Sequence, residues 1–509
     1  MSITGKILKN VFSSWAYYFV QFSVGFLIVP FMIHRLGNDV YGIWVLVLSF
    51  GGYIGFFDFG IRGSIVKFVS EYEAKGDTEG LRKVINTSWV VHLIISCLIL
   101  LLTIILSRFI HLFFKLDSAY INEFRICFIL IGLNLGFTVG TSVFVSVLEG
   151  FKRQDIVSAV EIGAFIFQTL LIVISVYCHA SLVVLGYIVF GVTLLKQVAR
   201  AIFVYKIFPQ FELSFVYFKK DFLSIILNYS FFLFIYQGMR NIIGSLPNII
   251  LGVWLGGAAI TFYSIAARLV GYSSIFLSAT SGILVPFVSG FDSLQDKKRL
   301  NKSFITGTKY SYMLAILLGV VLLVMGKPLI NIWVGEEYAK ISYPVLFITS
   351  IPFLLAPSAF VINAVLQGIG KLRAISFLAL FELFIGIVLS GLFIKPFGIK
   401  GVALGLSIPY LINYGIILPL IIIKIIEVRL LDYLREVVIK IIIPAISLFV
   451  FLIIVKLNFF PSSLLILLVE VLAGALIYIV LCFHFSLNKE EKQFYLTKIG
   501  YAKFINLRS

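Results

Sequence analysis

Two arginines are the residues of this sequence whose type and position could bind a charged ligand. Arg240 and Arg268 each lie within a long apolar stretch, where an arginine costs about 2.5–3.5 kcal/mol on membrane-insertion scales. Charged residues at such depth usually face a water-filled cavity or a partner, and a guanidinium group matches phosphate oxygens. No acid lies near them on the same two stretches. The arginines therefore predict an anion site; the alternative is that acids on neighbouring helices pair with both and only fix the packing.

Polar side chains accompany both arginines at helical spacing. On the stretch that carries Arg240 they follow one another at steps of seven, four, four and three, so they share one face of a helix. The stripes consist of Ser230, Gln237, Asn241, Ser245 and Asn248 with Arg240, of Ser264, Ser274, Ser278 and Ser281 with Arg268, and, more faintly, of Ser14, Tyr17, Gln21 and Gly25 near the N-terminus. The predicted substrate-binding set is Arg240, Arg268, Gln237, Asn241, Gln21 and Ser264.

Four acids also fall in apolar stretches. Asp58, Glu161 and Glu382 are candidates for carrying a coupling proton or Na⁺. Asp58 could instead pair with Arg62 at i,i+4 spacing, and Glu161 and Glu382 could instead neutralise the arginines. Glu470 is interpreted as a packing residue or an oligomer contact.

Two prolines take comparable positions in the first and seventh apolar stretches. Pro30 and Pro247 each free a backbone carbonyl and favour a kink. Matching kinks suit a gate, and they also occur as passive bends.

Cysteines and histidines do not form a ligand pattern. The four cysteines contain no CxxC motif, and the five histidines are dispersed. The sequence therefore predicts no disulfide framework, no metal site and no cofactor beyond a coupling H⁺ or Na⁺.

The elements that position these residues are membrane-spanning helices. Of 509 residues, 61% are hydrophobic and 13% are charged, and the mean hydropathy is +1.08; soluble proteins hold roughly 45–50% apolar and about 25% charged residues. A span needs about 20 apolar residues. Fourteen stretches qualify: 12–33, 41–61, 87–107, 126–148, 157–177, 182–204, 224–254, 258–288, 306–326, 343–366, 372–394, 400–423, 439–457 and 463–485.

The charge distribution orients these spans. With both termini in the cytoplasm, roughly 30 of the 41 Lys and Arg fall in inner segments and about 9 in outer ones. The net charge of +17 is therefore attributed to topology and not to nucleic-acid binding. We expect a multi-pass protein of the bacterial inner membrane.

An internal repeat organises the first twelve spans. The chain matches itself at an offset of about 219 residues, as in the pairs Leu36–Gly37 with Leu255–Gly256 and Asp77 with Asp296. LEG at Leu148–Gly150 matches LQG at Leu366–Gly368 in the same way. The predicted fold is all-α, with two parallel six-helix lobes around a central cavity and an appended helix pair. Its segments are an N-lobe, 1–206, a C-lobe, 207–424, and residues 425–509 with the last two spans and a cytoplasmic tail.

Several short motifs resemble those of a known family. HRLGNDVYGIWVLVLSF (His34 to Phe50), KGDTEGLRK (Lys75 to Lys83), VLEGFKRQD (Val147 to Asp155), YSIAARL (Tyr263 to Leu269) and VLQGIGKLR (Val365 to Arg373) resemble Wzx-type polysaccharide flippases of the MATE-like superfamily. The resemblance implies movement of undecaprenyl-pyrophosphate-linked oligosaccharide between leaflets by alternating access. It also implies a cationic lumen, in which Arg240 and Arg268 occupy plausible places, and contact with membrane lipids and with polysaccharide polymerase or chain-length proteins.

Three alternatives stay open. A MATE-type drug exporter predicts an acidic cavity, but the first span has no acid. A membrane polymerase or ligase predicts a large outer loop with catalytic residues, and no outer loop is that long, so we expect no enzyme. A scaffold for assembly predicts tolerance to loss of both arginines.

Overall fold

The computed structural model describes residues 3–52, 61–282, 284–459 and 461–498. These residues form helices joined by short connections, and none of those described is in a strand. The helices are α1 (Ile3–Gly51), α2 (Ile61–Lys75), α3 (Thr78–Phe113), α4 (Ile121–Gly140), α5 (Ser142–Gly150), α6 (Gln154–Tyr177), α7 (Leu182–Ile207), α8 (Lys220–Trp254), α9 (Gly257–Gly282), α10 (Leu284–Ser293), α11 (Lys297–Val334), α12 (Glu336–Leu355), α13 (Ser358–Gly368), α14 (Leu372–Phe397), α15 (Ile399–Tyr410), α16 (Leu418–Ile426), α17 (Leu430–Tyr433), α18 (Lys440–Asn458), α19 (Leu464–Leu481) and α20 (Lys489–Lys498).

The prediction of an all-α multi-pass membrane protein is confirmed, whereas the count of fourteen spans is not. Among the described residues, twelve helical segments are long and apolar enough to cross a membrane. One difference is α1, which covers the first predicted span together with residues 41–51 of the second, and which leaves helical geometry at Gly37 (φ 78°, ψ 170°). The other is α8, which covers the predicted span 224–254 and is not one of the twelve.

Left-handed residues recur along the chain at the spacing of the sequence repeat. Such backbone geometry favours glycine, and a residue with a side chain adopts it only where the fold demands it. Four pairs are separated by 218 or 219 residues: Gly37 and Gly256, Gly76 and Gln295, Lys152 and Gly370, and His179 and Gly398. The turns between helices therefore repeat together with the sequence.

The glycines of the LEG and LQG motifs pack in the same way. A Cβ on Gly150 would lie 2.5 Å from a methyl carbon of Val69, and one on Gly368 would lie 2.7 Å from a methyl carbon of Val288. Each glycine lets its short helix, α5 or α13, approach the backbone of α2 or α10 closely. Helix interfaces in membranes favour such small residues.

The chain divides into two compact units. Unit 1 comprises Met1–Ser264 and Leu372–Gly405, and unit 2 comprises Ile265–Lys371 and Leu406–Ser509. In unit 1, a buried core that includes Ile85, Val143 and Phe211 joins α3, α5 and the segment after α7.

In unit 2, the last long helices pack on α11. The Tyr478 hydroxyl of α19 donates to the Met313 carbonyl at 2.9 Å, and the Lys456 ammonium of α18 donates to the Val324 carbonyl, also at 2.9 Å. The predicted lobes 1–206 and 207–424 stay a prediction.

Candidate functional site

Arg240 is held by an acid on a neighbouring helix. In unit 1, its Nη1 on α8 donates to Oε1 and Oε2 of Glu382 on α14, at 3.1 and 3.2 Å. The Glu382 side chain is 2% exposed, whereas that of Arg240 is 34% exposed. The carboxylate therefore neutralises one edge of the guanidinium, and the remaining surface of Arg240 stays accessible.

Other polar residues of the α8 stripe differ in exposure. Gln237 is exposed and Asn241 is half-buried. About two turns beyond Asn241, the Asn248 amide donates to Ser49 Oγ of α1 at 2.8 Å. Ser49 Oγ in turn donates to the Val45 carbonyl of its own helix. The far end of the stripe therefore fixes α8 to α1, and the part beside Arg240 keeps an accessible polar surface.

The remaining predicted binding residues lie on α1 and α9. Gln21 is half-buried on α1. Ser264 is 4% exposed and donates to the Thr261 carbonyl of its own helix at 2.9 Å, so that donor is used locally. Arg268 follows on the next turn of α9, is half-buried and belongs to unit 2.

Glu161 is paired with two cations, Lys196 and Arg200, that are not among the predicted site residues. On α6 it accepts from Lys196 Nζ at 3.4 Å and from Arg200 Nη2, both on α7. Arg200 Nη1 also donates to Oε1 of Gln197 at 3.0 Å. The i,i+4 spacing of Lys196 and Arg200 in an apolar helix was the signal available, because it places both charges on one face.

Two of the three coupling-ion candidates therefore accept from basic side chains. Glu161 and Glu382 each form an ion pair with a basic side chain of a neighbouring helix, and Asp58 lies outside the described residues. Arg62 forms an ion pair with Glu149 of α5 at 2.6 Å.

Two glycine turns of unit 1 meet directly. The Asp39 carboxylate accepts from the Ala258 backbone N–H at 3.0 Å, so it caps the start of α9. Thr261 Oγ1 donates to the Asn38 carbonyl at 2.6 Å. A Cβ on Gly42 would lie only 1.8 Å from the Gly257 carbonyl oxygen, so the backbones are in contact. We call this arrangement the glycine-turn contact.

The predicted proline kinks lie near these turns. α1 continues through Pro30, and its non-helical residue is Gly37. The ring of His34 hydrogen-bonds through Nδ1 to the Pro30 carbonyl at 2.7 Å. α8 continues through Pro247. Among the described residues, no group of three or more His, Cys, Asp and Glu could hold a metal ion.

Comparison with known proteins assigns the chain to a family. Residues 7–291, more than half of the chain, match the family described as "Polysaccharide biosynthesis protein". The chain belongs to this family. The match confirms the family resemblance that the short motifs indicated.

Individual relatives support the same assignment. A protein of Shigella flexneri named "Putative O-antigen transporter" is 22% identical over 428 residues, which cover 81% of this chain and 96% of that protein. The lipid II flippase MurJ, in an inward closed conformation, superposes with a TM-score of 0.70 at 15% identity over 94% of this chain and 98% of its own. An inward-facing MATE multidrug transporter superposes with a TM-score of 0.64 at 17% identity over 79% and 98%. At these identities the two structures show a shared fold.

Proposed function

We propose that the protein is a flippase that moves undecaprenyl-pyrophosphate-linked oligosaccharide units from the cytoplasmic to the outer leaflet of the bacterial inner membrane. The observation that carries this proposal is the accessible arginine, Arg240, in the middle of the 35-residue helix α8. Family membership and the similarity to a putative O-antigen transporter support it.

The Arg240–Glu382 pair suits a diphosphate ligand. Because the Arg240 side chain is one-third exposed beside the buried Glu382, a phosphate can approach the accessible surface of the guanidinium while the carboxylate holds its position. Phosphate oxygens form strong charge-assisted hydrogen bonds with guanidinium. Arg268 would supply a second positive charge, and Gln237, Asn241, Gln21 and Ser264 would hydrogen-bond the sugars. The lipid chain would stay in the bilayer.

The proposal includes a mode of movement. Two like lobes, 1–206 and 207–424, would alternate in opening to either side of the membrane, with both termini in the cytoplasm. Pro30 and Pro247 would bend the gating helices, and H⁺ or Na⁺ would be the coupling ion. Polysaccharide polymerase and chain-length proteins are the expected protein partners.

A MATE-type exporter of small amphipathic cations is the second candidate. Its cavity would need accessible acids. Glu161 instead contacts Lys196 and Arg200, which leaves one positive charge over, and Glu382 contacts Arg240, which neutralises it. This observation favours an anionic substrate. An enzyme is disfavoured because the connections after α6 and α8 are too short to hold a catalytic domain.

The test measures the amount of surface polysaccharide in cells whose own flippase has been replaced by variants of this chain. We expect Arg240→Ala or Arg268→Ala to lower it about tenfold or more, because a charge-assisted hydrogen bond contributes roughly 1.5–3 kcal/mol. Arg125→Ala removes an exposed arginine of α4 and serves as the matched control. Normal polysaccharide at normal membrane levels of both variants would refute the proposed site.

A further inference from the structure

Unit 2 contains a cavity that is lined by none of the residues proposed to bind the transported substrate. Its volume is about 470 Å³, and it lies among the end of α9, the start of α10, the first half of α11, and α13. Its walls combine hydroxyl-bearing side chains with apolar ones. The lining residues are Thr280, Ser281, Leu284, Lys302, Ser303, Thr306, Gly307, Tyr310, Ser311, Leu314 and Val361.

The equivalent position in the first repeat is filled by the chain itself. Thr87 of α3 matches Thr306 of α11 at the repeat offset of 219 residues. Thr87 is 0% exposed, and its Oγ1 accepts from the Lys219 backbone N–H at 3.1 Å. Thr306 lines the open cavity instead. The second repeat therefore leaves open a polar surface that the first repeat covers.

The cavity wall contains a buried hydroxyl without a partner. Ser281 is 4% exposed, and its Oγ forms no hydrogen bond with any described residue. Two other hydroxyl groups of the wall already have hydrogen-bond partners, since Thr280 donates to the Leu277 carbonyl and Ser311 donates to the Pro357 carbonyl. A buried polar atom without a partner is uncommon and calls for an explanation such as a ligand.

The C-terminal helix places an anion at the mouth of this cavity. Glu490 of α20 accepts from Lys302 Nζ at 2.7 Å, and Tyr495 OH donates to Tyr310 OH at 3.2 Å. The hydrogen bond from Lys302 lowers the pKa of Glu490, so its carboxylate is charged at neutral pH. Both Lys302 and Glu490 are largely exposed, at 72% and 81% of their side chains. Exposed ion pairs contribute little to stability, so another anion can replace Glu490 readily.

Helix α20 stays attached when that exchange occurs. The neighbouring Glu491 accepts from Lys309, whose side chain is only 2% exposed. Glu491 also accepts from the Asn488 backbone N–H at 2.8 Å. The buried pair therefore anchors α20, and the exposed pair at Lys302 is the exchangeable one.

We propose that this cavity binds the phosphate group of an anionic phospholipid, with Lys302 on the phosphate, Ser281 and Thr306 as hydroxyl partners, and Glu490 as the internal competitor. Lys302 lies five residues after the start of the membrane-length helix α11, where lipid headgroups are expected. Leu284, Leu314 and Val361 provide the apolar wall for the first part of the acyl chains. Ser281 is the last residue of the stripe that carries Arg268, but none of the residues proposed to bind the transported substrate lines this cavity, and the site does not depend on the proposed function.

The experiment measures lipid binding to the full-length purified protein by native mass spectrometry during titration with phosphatidylglycerol. We expect Lys302→Gln to weaken binding about tenfold or more, the loss of one charge-assisted hydrogen bond. Glu490→Gln is expected to strengthen it about two- to fivefold, because the competing carboxylate is gone. Ser281→Leu keeps every charge but fills the cavity, and should also weaken binding. Lys83→Gln, at the equivalent position of α3, is the matched control.

Three further arms identify the ligand and exclude unfolding. Phosphatidylcholine, which has no net charge, should bind more weakly than phosphatidylglycerol. Inorganic phosphate at millimolar concentration should not displace the lipid; if it does, the lipid assignment is wrong and a soluble phosphate is the ligand. Every variant must keep the thermal unfolding midpoint of the parent. Equal effects of Lys302→Gln and Lys83→Gln, or no gain of binding in Glu490→Gln, would overturn the proposal.

Discussion

Arg240 and Glu382 form an ion pair in which one guanidinium nitrogen, Nη1, donates to both carboxylate oxygens. The acid is almost fully buried, and the arginine is one-third exposed. A pair of this kind can do two things. It can fix α8 to α14, and it can present a held guanidinium to a ligand.

A double substitution separates these two roles. Breaking a buried ion pair costs about 3–5 kcal/mol, and since Arg240 is one-third exposed we expect the lower end for Arg240→Ala or Glu382→Ala. The double variant removes both charges and should recover most of the stability. Thermal unfolding of the purified protein measures this recovery.

Export of polysaccharide gives the second readout. If Arg240 contacts the diphosphate, the double variant stays defective in export although it is stable. If the pair only holds two helices together, the double variant recovers export together with its stability. Arg240 is then not part of the substrate-binding site.

Much of the local structure could be predicted from the sequence, because local patterns determine it. Asp77 and Asp296 each precede a helix, and each caps it by accepting from the N–H three residues later, at 2.8 and 3.0 Å. The repeat offset also anticipated that Gly37 and Gly256 form equivalent turns. The hydropathy pattern predicted that the chain is a membrane protein and predicted most of its long helices.

Neutralisation of the arginines by Glu161 or Glu382 was one alternative from the sequence, but which acid meets which cation could not be predicted in this way. Glu382 lies 142 residues from Arg240, and helical spacing says nothing about which distant acid meets which cation. The kinks at Pro30 and Pro247 stay a prediction. The non-helical residue of α1 is Gly37, which lies between the first two predicted spans and whose left-handed geometry changes the direction of the chain.

Glu161 provides a test of ion coupling. Its carboxylate pairs with Lys196 and Arg200, whose side chains are 21% and 5% exposed. We expect Glu161→Gln to lower the free energy of unfolding by about 3 kcal/mol, because two cations lose their anion in a largely buried place. Adding Lys196→Gln should restore part of this loss. The unfolding midpoint in detergent measures both changes.

Transport assays complete that test. A residue that carries the coupling ion would, when substituted, abolish the dependence of export on the proton or Na⁺ gradient without loss of stability. A stable Glu161→Gln protein with gradient-independent export would therefore contradict the structural role that its two cationic partners indicate.

The glycine-turn contact predicts a specific steric effect. A methyl group at position 42 would collide with the Gly257 carbonyl, so Gly42→Ala must separate the two turns. We expect the yield of a disulfide between cysteines introduced by Asp39→Cys and Ala258→Cys to fall several-fold. Gly51→Ala is the matched control on the same helix, because a Cβ there meets nothing within 4 Å. Equal yields in the two alanine variants would show that the turns are not in contact in the membrane.

Among the described residues, Glu470 is a buried acid with no basic partner. It lies on α19 and is 9% exposed, and neither carboxylate oxygen forms a hydrogen bond with any described residue. A carboxylate without partners in such surroundings is strongly disfavoured, so the group is expected to be protonated. Glu470→Gln should therefore leave the unfolding midpoint nearly unchanged. Glu470→Leu should raise the free energy of unfolding by about 1–2 kcal/mol, because it removes a polar group that is buried without compensation.

The matched comparison is Glu382→Leu, which leaves Arg240 without that carboxylate and should lower stability. Size-exclusion chromatography with light scattering distinguishes packing from an oligomer contact. If Glu470→Leu keeps the mass of the parent and gains stability, the residue is a packing residue of one chain. If the variant loses stability and its particle mass falls, then Glu470 contacts a second copy, and its carboxyl oxygens find their partners there.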